Sequence, residues 1–371
     1  MRIPLFDLNY GEEEEQAVLD TLRSKWISTG PKNQALEEQF AALLGAKSAV
    51  AVSSCTSALH LALRLAGVEK GTEVIVPSLT FVATASTVLM QGGTPVFADI
   101  CSKDDWTIDP ADIERKITDR TRAIVPMHYG GFGSDMDRIN ALAKEHNLIV
   151  IEDACHGPLA ERGSKKLGTI GDFGCFSFYS NKNITCGEGG MLVTDDVELA
   201  QRAKHLRSHG MTSSAFERER GKEFYDVVEF GYNYRMDDIR ASLMLAQLPK
   251  LRGDISRRKE LVAMYRSRLK NTSTLSIPFQ NHEGDSAHYV FGVLLESADR
   301  KVVMKELKER GVSTSMHYPP VHQFGCFNEY SCELPLTEYV GEREISLPLY
   351  PAMSEEQVDY VCEQLLEILS A

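Results

Sequence analysis

The 371-residue sequence predicts an α/β protein with a large unit on a mostly parallel sheet covered by helices, followed by a smaller α+β unit. Three observations predict it. Between about Ala49 and Met191, short apolar runs alternate with helical patterns, the cadence of βαβ units. The β-branched residues within those runs are continuous and not alternating, which calls for helices on both faces of the sheet. The chain also exceeds one average core of roughly 100 to 200 residues, so two packed units are expected.

The first strand is read in SAVAVSS, ending at Ser54, and TSALHLALRLAG follows as a helix with leucines at helical spacing. EVIVP, TPVFADI, RAIVPMHY and LIVIEDA are the next strands, each with a turn or helix behind it. FGCFSFYS and GGMLVTDD are two more, bracketing NKNITCGEGG. After Asp196 the chain becomes helix-rich and charged. MDDIRASLMLAQLPKLRGDISRRKELVAMYRSRL reads as one long helical stretch along which the chain leaves the large unit, placed at residues 1–245. The small unit, 246–371, takes HYVFGVLLE and VSTSMHY as strands, with helices near RKVVMKELKER and SEEQVDYVCEQLLEIL. No internal repeat or glycine-serine linker separates the two, so they are expected to pack tightly.

Composition narrows the function classes. The formal charge of −13 argues against a nucleic-acid or anionic membrane surface as partner. A small anionic substrate stays open, because a few cations and helix N-termini suffice to hold one. The eight cysteines include no C-x-x-C pair and read as reduced thiols, with no disulfide framework and no metal site. MRIPLFDLNYGEEEE turns acidic where a signal peptide would carry its apolar core, and no run approaches membrane-spanning length. A cytoplasmic location is the expectation.

Five features carry chemistry. Asp153 ends the strand LIVIEDA, at the carboxyl edge where open α/β sheets bind ligands; read alone, it is equally a helix cap. His156 follows within hydrogen-bonding reach of the same ligand, though a lone histidine is more often structural. Ser54 to Leu59 (SCTSAL) joins a strand to a helix, so N–H groups and the hydroxyls of Thr56 and Ser57 face a cleft in the geometry that binds phosphate. Phe81, in PSLTFVAT, is placed to stack on a flat ring, although an isolated aromatic is more often core. Lys182 stands directly after a strand in SFYSNKNITCGEGGM, in a loop that returns through G-E-G-G; it reads as a buried amine of lowered pKa, with Ser177 as a further phosphate contact. Glu188 is assigned no chemistry.

Together these satisfy what pyridoxal 5'-phosphate (PLP) asks of a protein: a lysine to bond its aldehyde, a carboxylate for its pyridine nitrogen, a neutral phosphate cradle and a flat side chain over the ring. Competing motifs fail. GGFGSD near Gly131 lacks the third glycine and spacing of a dinucleotide fingerprint, and no P-loop lysine motif occurs.

The combination resembles the DegT/DnrJ/EryC1/StrS sugar aminotransferases, fold-type I PLP enzymes of aspartate-aminotransferase-like architecture. The likeness runs from WISTGPKNQALEEQFAALLGAKSAVAVSSCTSALHLAL through PSLTFVATASTVLMQGGTPVFADI, VIEDACHG, SFYSNKNITCGEGGM and GYNYRMDDIRASLMLAQL to GVSTSMHYPPVH and ISLPLYPAMSEEQV. It implies Lys182 as Schiff-base lysine, Asp153 on the pyridine nitrogen, Phe81 stacking, Thr56, Ser57 and Ser177 on the phosphate, and His156 beside the cofactor. It implies too that Asn233 reaches the phosphate from the partner subunit of an obligate homodimer. Cys55 stands where the family commonly has glycine, and Cys186 where it has threonine. Relatives with histidine at the lysine position are sugar dehydratases, a branch that Lys182 argues against. The resemblance implies transfer of an amino group from glutamate, through the pyridoxamine 5'-phosphate form, to a nucleotide-linked keto-sugar, with a 4-keto-6-deoxy hexose expected. A 3-keto-sugar, a keto-cyclitol, or a PLP-binding regulator without turnover are the alternatives. Arg235, His317 and Tyr318 are the candidates for holding the acceptor.

Overall fold

Seven short strands, most of their residues buried, form one sheet in the computed structural model, which describes residues 1–221 and 224–370. They are β1 (Ser48–Val52), β2 (Glu73–Pro77), β3 (Thr94–Ala98), β4 (Thr121–Ile124) and β5 (Ile149–Asp153), then, after a two-residue hairpin of β6 (Glu161–Arg162) and β7 (Lys165–Lys166), β8 (Phe173–Ser177) and β9 (Gly190–Thr194). Their order is β1-β9-β8-β5-β4-β2-β3. Only β9 runs antiparallel to its neighbours. The run RAIVPMHY yields only three residues of strand, Arg122 to Ile124, because Pro126 has no N–H with which to continue the ladder.

Continuous burial follows from the two faces being covered separately. In β2, Val74 and Val76 pack on one side with Leu59 and Leu63 of the helix Cys55–Leu65, while Ile75 points to the other, against Ile139 and Leu142 of the helix Met136–His146. Farther along the second face, Phe176 and Met191 pack with Leu36 and Phe40 of the helix Pro31–Leu44.

A second sheet, antiparallel in the order β10 (Leu275–Ser276), β11 (Phe291–Leu295), β12 (Glu344–Leu347), packs with the helices Leu251–Leu269 and Glu355–Ser370 around its own core. Ile3 belongs to that core, so the amino terminus is built into the carboxyl-terminal layer. Ala371, the last residue assigned to the small unit, lies outside the described residues.

Two expectations are corrected. The long helical stretch is two helices, Asp238–Gln247 and Leu251–Leu269, because Pro249 between them removes an N–H and clashes with the preceding turn. VSTSMHY is not a strand: it makes isolated bridges, Val312 to Ile3 and Ser315 to Ser346. Beyond Ser315 the ladder stops because the N–H of His317 donates to a side chain, the Glu344 carboxyl at 2.8 Å. Among the described residues no helix is long and apolar enough to cross a membrane.

Candidate active site

The parallel strands β5 and β8 end side by side, with Asp153 opposite Cys175 in register, and the chain beyond β8 carries Lys182 back over that edge. The result is a cleft of about 370 Å³ at the carboxyl ends of the strands, where Lys182 and Asp153 meet Thr56, Phe81, Ser177, His317 and Tyr318. Among the described residues no group of histidine, cysteine and acidic side chains is arranged to hold a metal ion.

Asp153 is buried and held from below. Thr84 Oγ1 donates to its Oδ2 at 2.7 Å, Thr84 is bonded in turn to Thr80 at 2.7 Å, and the Cys155 N–H donates to Oδ1 at 3.2 Å. The carboxylate keeps lone pairs for a donor in the cleft. The floor beside it is the first turn of the helix Cys55–Leu65, whose leading N–H groups have no intrahelical acceptor. Gly190 lets this turn lie against β9: a Cβ there would come within 2.4 Å of the Ser54 carbonyl carbon and 2.5 Å of the Cys55 nitrogen.

Lys182 is half-buried, with Nζ 4.0 Å from the centre of the Tyr289 ring. Burial pulls its pKa down, but Tyr289, Cys155 and Asp153 outweigh that, and the net direction is up. The expectation of a lowered pKa is therefore corrected for the protein alone: the neighbours of the amine in the cleft hold the proton on.

His156 does not line the cleft. Its Nδ1 accepts the Gly130 N–H at 3.2 Å, which leaves Nε2 to donate to the Tyr318 hydroxyl at 2.9 Å. Its ring stacks on Tyr289 with centroids 4.1 Å apart, and burial, with the Lys182 charge nearby, keeps it neutral, its pKa well below the ordinary value. The GGFGSD segment thus has a role unlike nucleotide binding. Gly131, at φ 92°, passes so close that a Cβ would meet the His156 carbonyl at 2.7 Å.

The chain matches the DegT/DnrJ/EryC1/StrS aminotransferase family over residues 9–366. It belongs to that family. It is 42% identical over 373 residues to the spore coat polysaccharide biosynthesis protein SpsC of Bacillus subtilis (strain 168), covering 97% of this chain and 95% of that protein. The PLP form of Spr1654 from Streptococcus pneumoniae superposes with a TM-score of 0.92 at 30% identity, over 100% of this chain and 99% of that one. DesI, solved in the presence of its TDP-sugar product, gives 0.88 at 30% identity, over 97% of this chain and 90% of that one. As a member of the family, this protein is a PLP-dependent aminotransferase of fold-type I architecture.

The cleft fits that cofactor on its own evidence. An amine, a buried carboxylate and a helix N-terminus that only glycine at position 190 allows the neighbouring strand to approach are grouped in one cavity. Ser57 is turned away from it: its N–H donates to the capping Ser54 Oγ at 3.1 Å and its hydroxyl lies 3.0 Å from those of Ser53 and Ser54. Phe81 is 53% exposed and its ring centroid stands 5.9 Å from that of Tyr318. Arg235 lines a separate cavity of about 400 Å³ with its guanidinium on the Ser208 hydroxyl at 3.2 Å, and Asn233 bridges Ser208 through the backbone; neither lines the Lys182 cleft. Sequence reasoning missed Tyr289 and Asn181 in the cleft wall and Thr84 behind Asp153, and Glu188, assigned no chemistry, also lines the cleft. Thr84 had a signal, a threonine three residues after Phe81 in a block already singled out; Tyr289 had none.

Proposed function

We propose that this aminotransferase moves an amino group from glutamate to a nucleotide-linked keto-sugar, a 4-keto-6-deoxy hexose, in the cytoplasm, in the assembly of amino sugars for surface polysaccharide or a natural product. The observation that carries the reading is the grouping of Lys182, Asp153 and the Thr56 turn in one cleft roomy enough for cofactor and substrate. SpsC is a spore coat polysaccharide biosynthesis protein and DesI has a TDP-sugar product, which supports a nucleotide sugar as acceptor.

PLP, when bound, supplies the electron sink on which the amino group is carried. Lys182 would hold the cofactor through its aldehyde carbon, and its Nζ would serve as the base that takes a proton from the donor's α-carbon and as the acid that gives one to the acceptor's carbon. Asp153, fixed by Thr84, would keep the pyridine nitrogen protonated. Thr56 and Ser177 hold the phosphate beside the helix N-terminus. Phe81 covers the ring, and His317 and Tyr318 orient the sugar.

The site is completed by a second copy of the chain, with Asn233 and Arg235 of one subunit serving the cleft of the other. Phe224 and Phe230, at 84% and 93% exposed, form with Val228 an apolar stretch just ahead of Asn233, which supports a partner covering it. Adding glutamate to the purified protein should convert the visible absorbance of the PLP form to that of the pyridoxamine form. Mass spectrometry of products from a panel of nucleotide-linked keto-sugars then identifies the acceptor. An absorbance unmoved by glutamate would count decisively against this donor.

A further inference from the structure

Behind His317 a line of polar groups runs into the carboxyl-terminal core, and the chemistry assigned so far uses none of them. His317 lines the cleft and is 6% exposed. Its Nδ1 lies 2.8 Å from Ser346 Oγ, and Ser346 Oγ is in turn bonded to Glu344 Oε1. The other carboxyl oxygen of Glu344 accepts the backbone N–H of His317, so the carboxyl clasps the histidine at both ends. Glu344 and Ser346 are 1% and 0% exposed. Gly292 on β11 leaves room for the carboxyl, since a Cβ there would stand 3.3 Å from Oε1. His317 Nε2 has no hydrogen-bond partner among the described residues; it is the ring's remaining polar atom.

The hydroxyl of Ser346 can donate only one way at a time, which links the two ends. With Glu344 protonated, Oε1–H donates to Ser346 Oγ, Ser346 donates to Nδ1, and the ring proton sits on Nε2. With Glu344 ionised, Ser346 donates to Oε1, Nδ1–H donates to Ser346, and Nε2 offers a lone pair. The two states differ by one proton, which leaves at Nε2 while the charge appears on Glu344; no oxidant or co-reactant is needed.

We infer that Glu344 and Ser346 are positioning residues that set the tautomer of His317, so that the nitrogen it presents to the substrate is a hydrogen-bond donor in one state and an acceptor in the other. The substrate contact rests on the proposed function; the tautomer exchange does not. The surroundings place the exchange in an accessible range. Burial pushes the Glu344 carboxyl up to about 8, against the opposing pull of Ser346, the His317 N–H and Arg300. Burial and the Lys182 charge push His317 down to about 3, so the ring itself stays neutral throughout. The other groups facing this line are Tyr129, which feels the Glu344 charge and donates to the His317 carbonyl, and Tyr289 and Tyr318, whose rings flank that of His317.

The test is the nitrogen chemical shifts of the holoenzyme labelled with ¹⁵N-histidine, followed as the pH rises through 8, with His317 assigned by its loss in His317→Gln. The expected result is Nε2 protonated on the acid side and Nδ1 protonated on the alkaline side. Glu344→Gln, whose amide donates to Ser346 at every pH while its oxygen still accepts the His317 N–H, should hold the Nε2–H form throughout. Ser346→Ala should abolish the exchange even where Glu344→Gln fails to fold. A wild-type tautomer that does not move, or an exchange that survives in either variant, overturns the relay. Amine transfer from glutamate is measured on the same samples: exchange without transfer sinks the proposed function and leaves the relay, and transfer without exchange does the reverse.

Discussion

Thr84 Oγ1 donates to Asp153 Oδ2 at 2.7 Å, and this bond is the only side-chain support the buried carboxylate has among the described residues. Thr84→Val keeps the shape and removes the donor. Leaving a buried polar group short of one partner costs about 1–3 kcal/mol. PLP affinity, read by absorbance titration, should fall on the order of tenfold or more, as the carboxylate loses its aim at the pyridine nitrogen. Thr84→Ser should restore most of it; a Val variant with unchanged affinity would show that Asp153 is held by the backbone alone.

The strands and their two-sided burial were legible because β-branched runs carry that information locally, and the place of Asp153 followed from the strand that it ends. The break at Pro249 was equally local and was passed over. Other features were set by distant parts of the chain. Tyr289 arrives beside Lys182 through packing of the second sheet, and it is the first of the groups that raise the Lys182 pKa against burial, so the direction of that shift was not readable from the local sequence. The turn of Ser57 away from the cleft depends on its hydroxyl meeting those of Ser53 and Ser54, which spacing alone does not decide.

Gly190 makes a sharper test of the phosphate turn than any polar residue does. Gly190→Ala places a Cβ within 2.4 to 2.5 Å of Ser54 and Cys55 backbone atoms, so the turn or β9 must move. Such overpacking costs roughly 1–3 kcal/mol. A lowered Tm is expected together with weakened PLP binding that inorganic phosphate no longer competes with. Undiminished phosphate competition would place the phosphate elsewhere.

Acid stability should be governed by buried neutral histidines. Burial holds His288 down to about 4 and His317 to about 3, and holds His156 well below its ordinary value. Each folded value lies below the unfolded one near 6.5, so the unfolded chain binds more protons as the pH falls. Stability present above that pH is therefore lost on the way down toward 4 and 3. His288→Asn, which tolerates the φ of 47° at this position, should flatten the slope by about 1.4 kcal/mol per pH unit in that window. Chemical denaturation across the window measures it, and an unchanged slope would assign the acid transition to other groups.

Asn233 and Arg235 lie away from the Lys182 cleft of their own chain, so the shared-site reading makes a prediction that no single-chain site can meet. Lys182→Ala and Asn233→Ala should each be inactive or nearly so as pure proteins. After unfolding and refolding together, a mixed dimer has one site with both lesions and one with neither. With random pairing, half of the dimers are mixed and half of their sites are intact, so activity should return to about a quarter of the wild-type value. If each site were built from one chain, mixing would restore nothing, since every site would still carry one lesion. Separating the mixed dimer by two affinity tags and titrating its PLP gives the decisive count: one functional site per dimer.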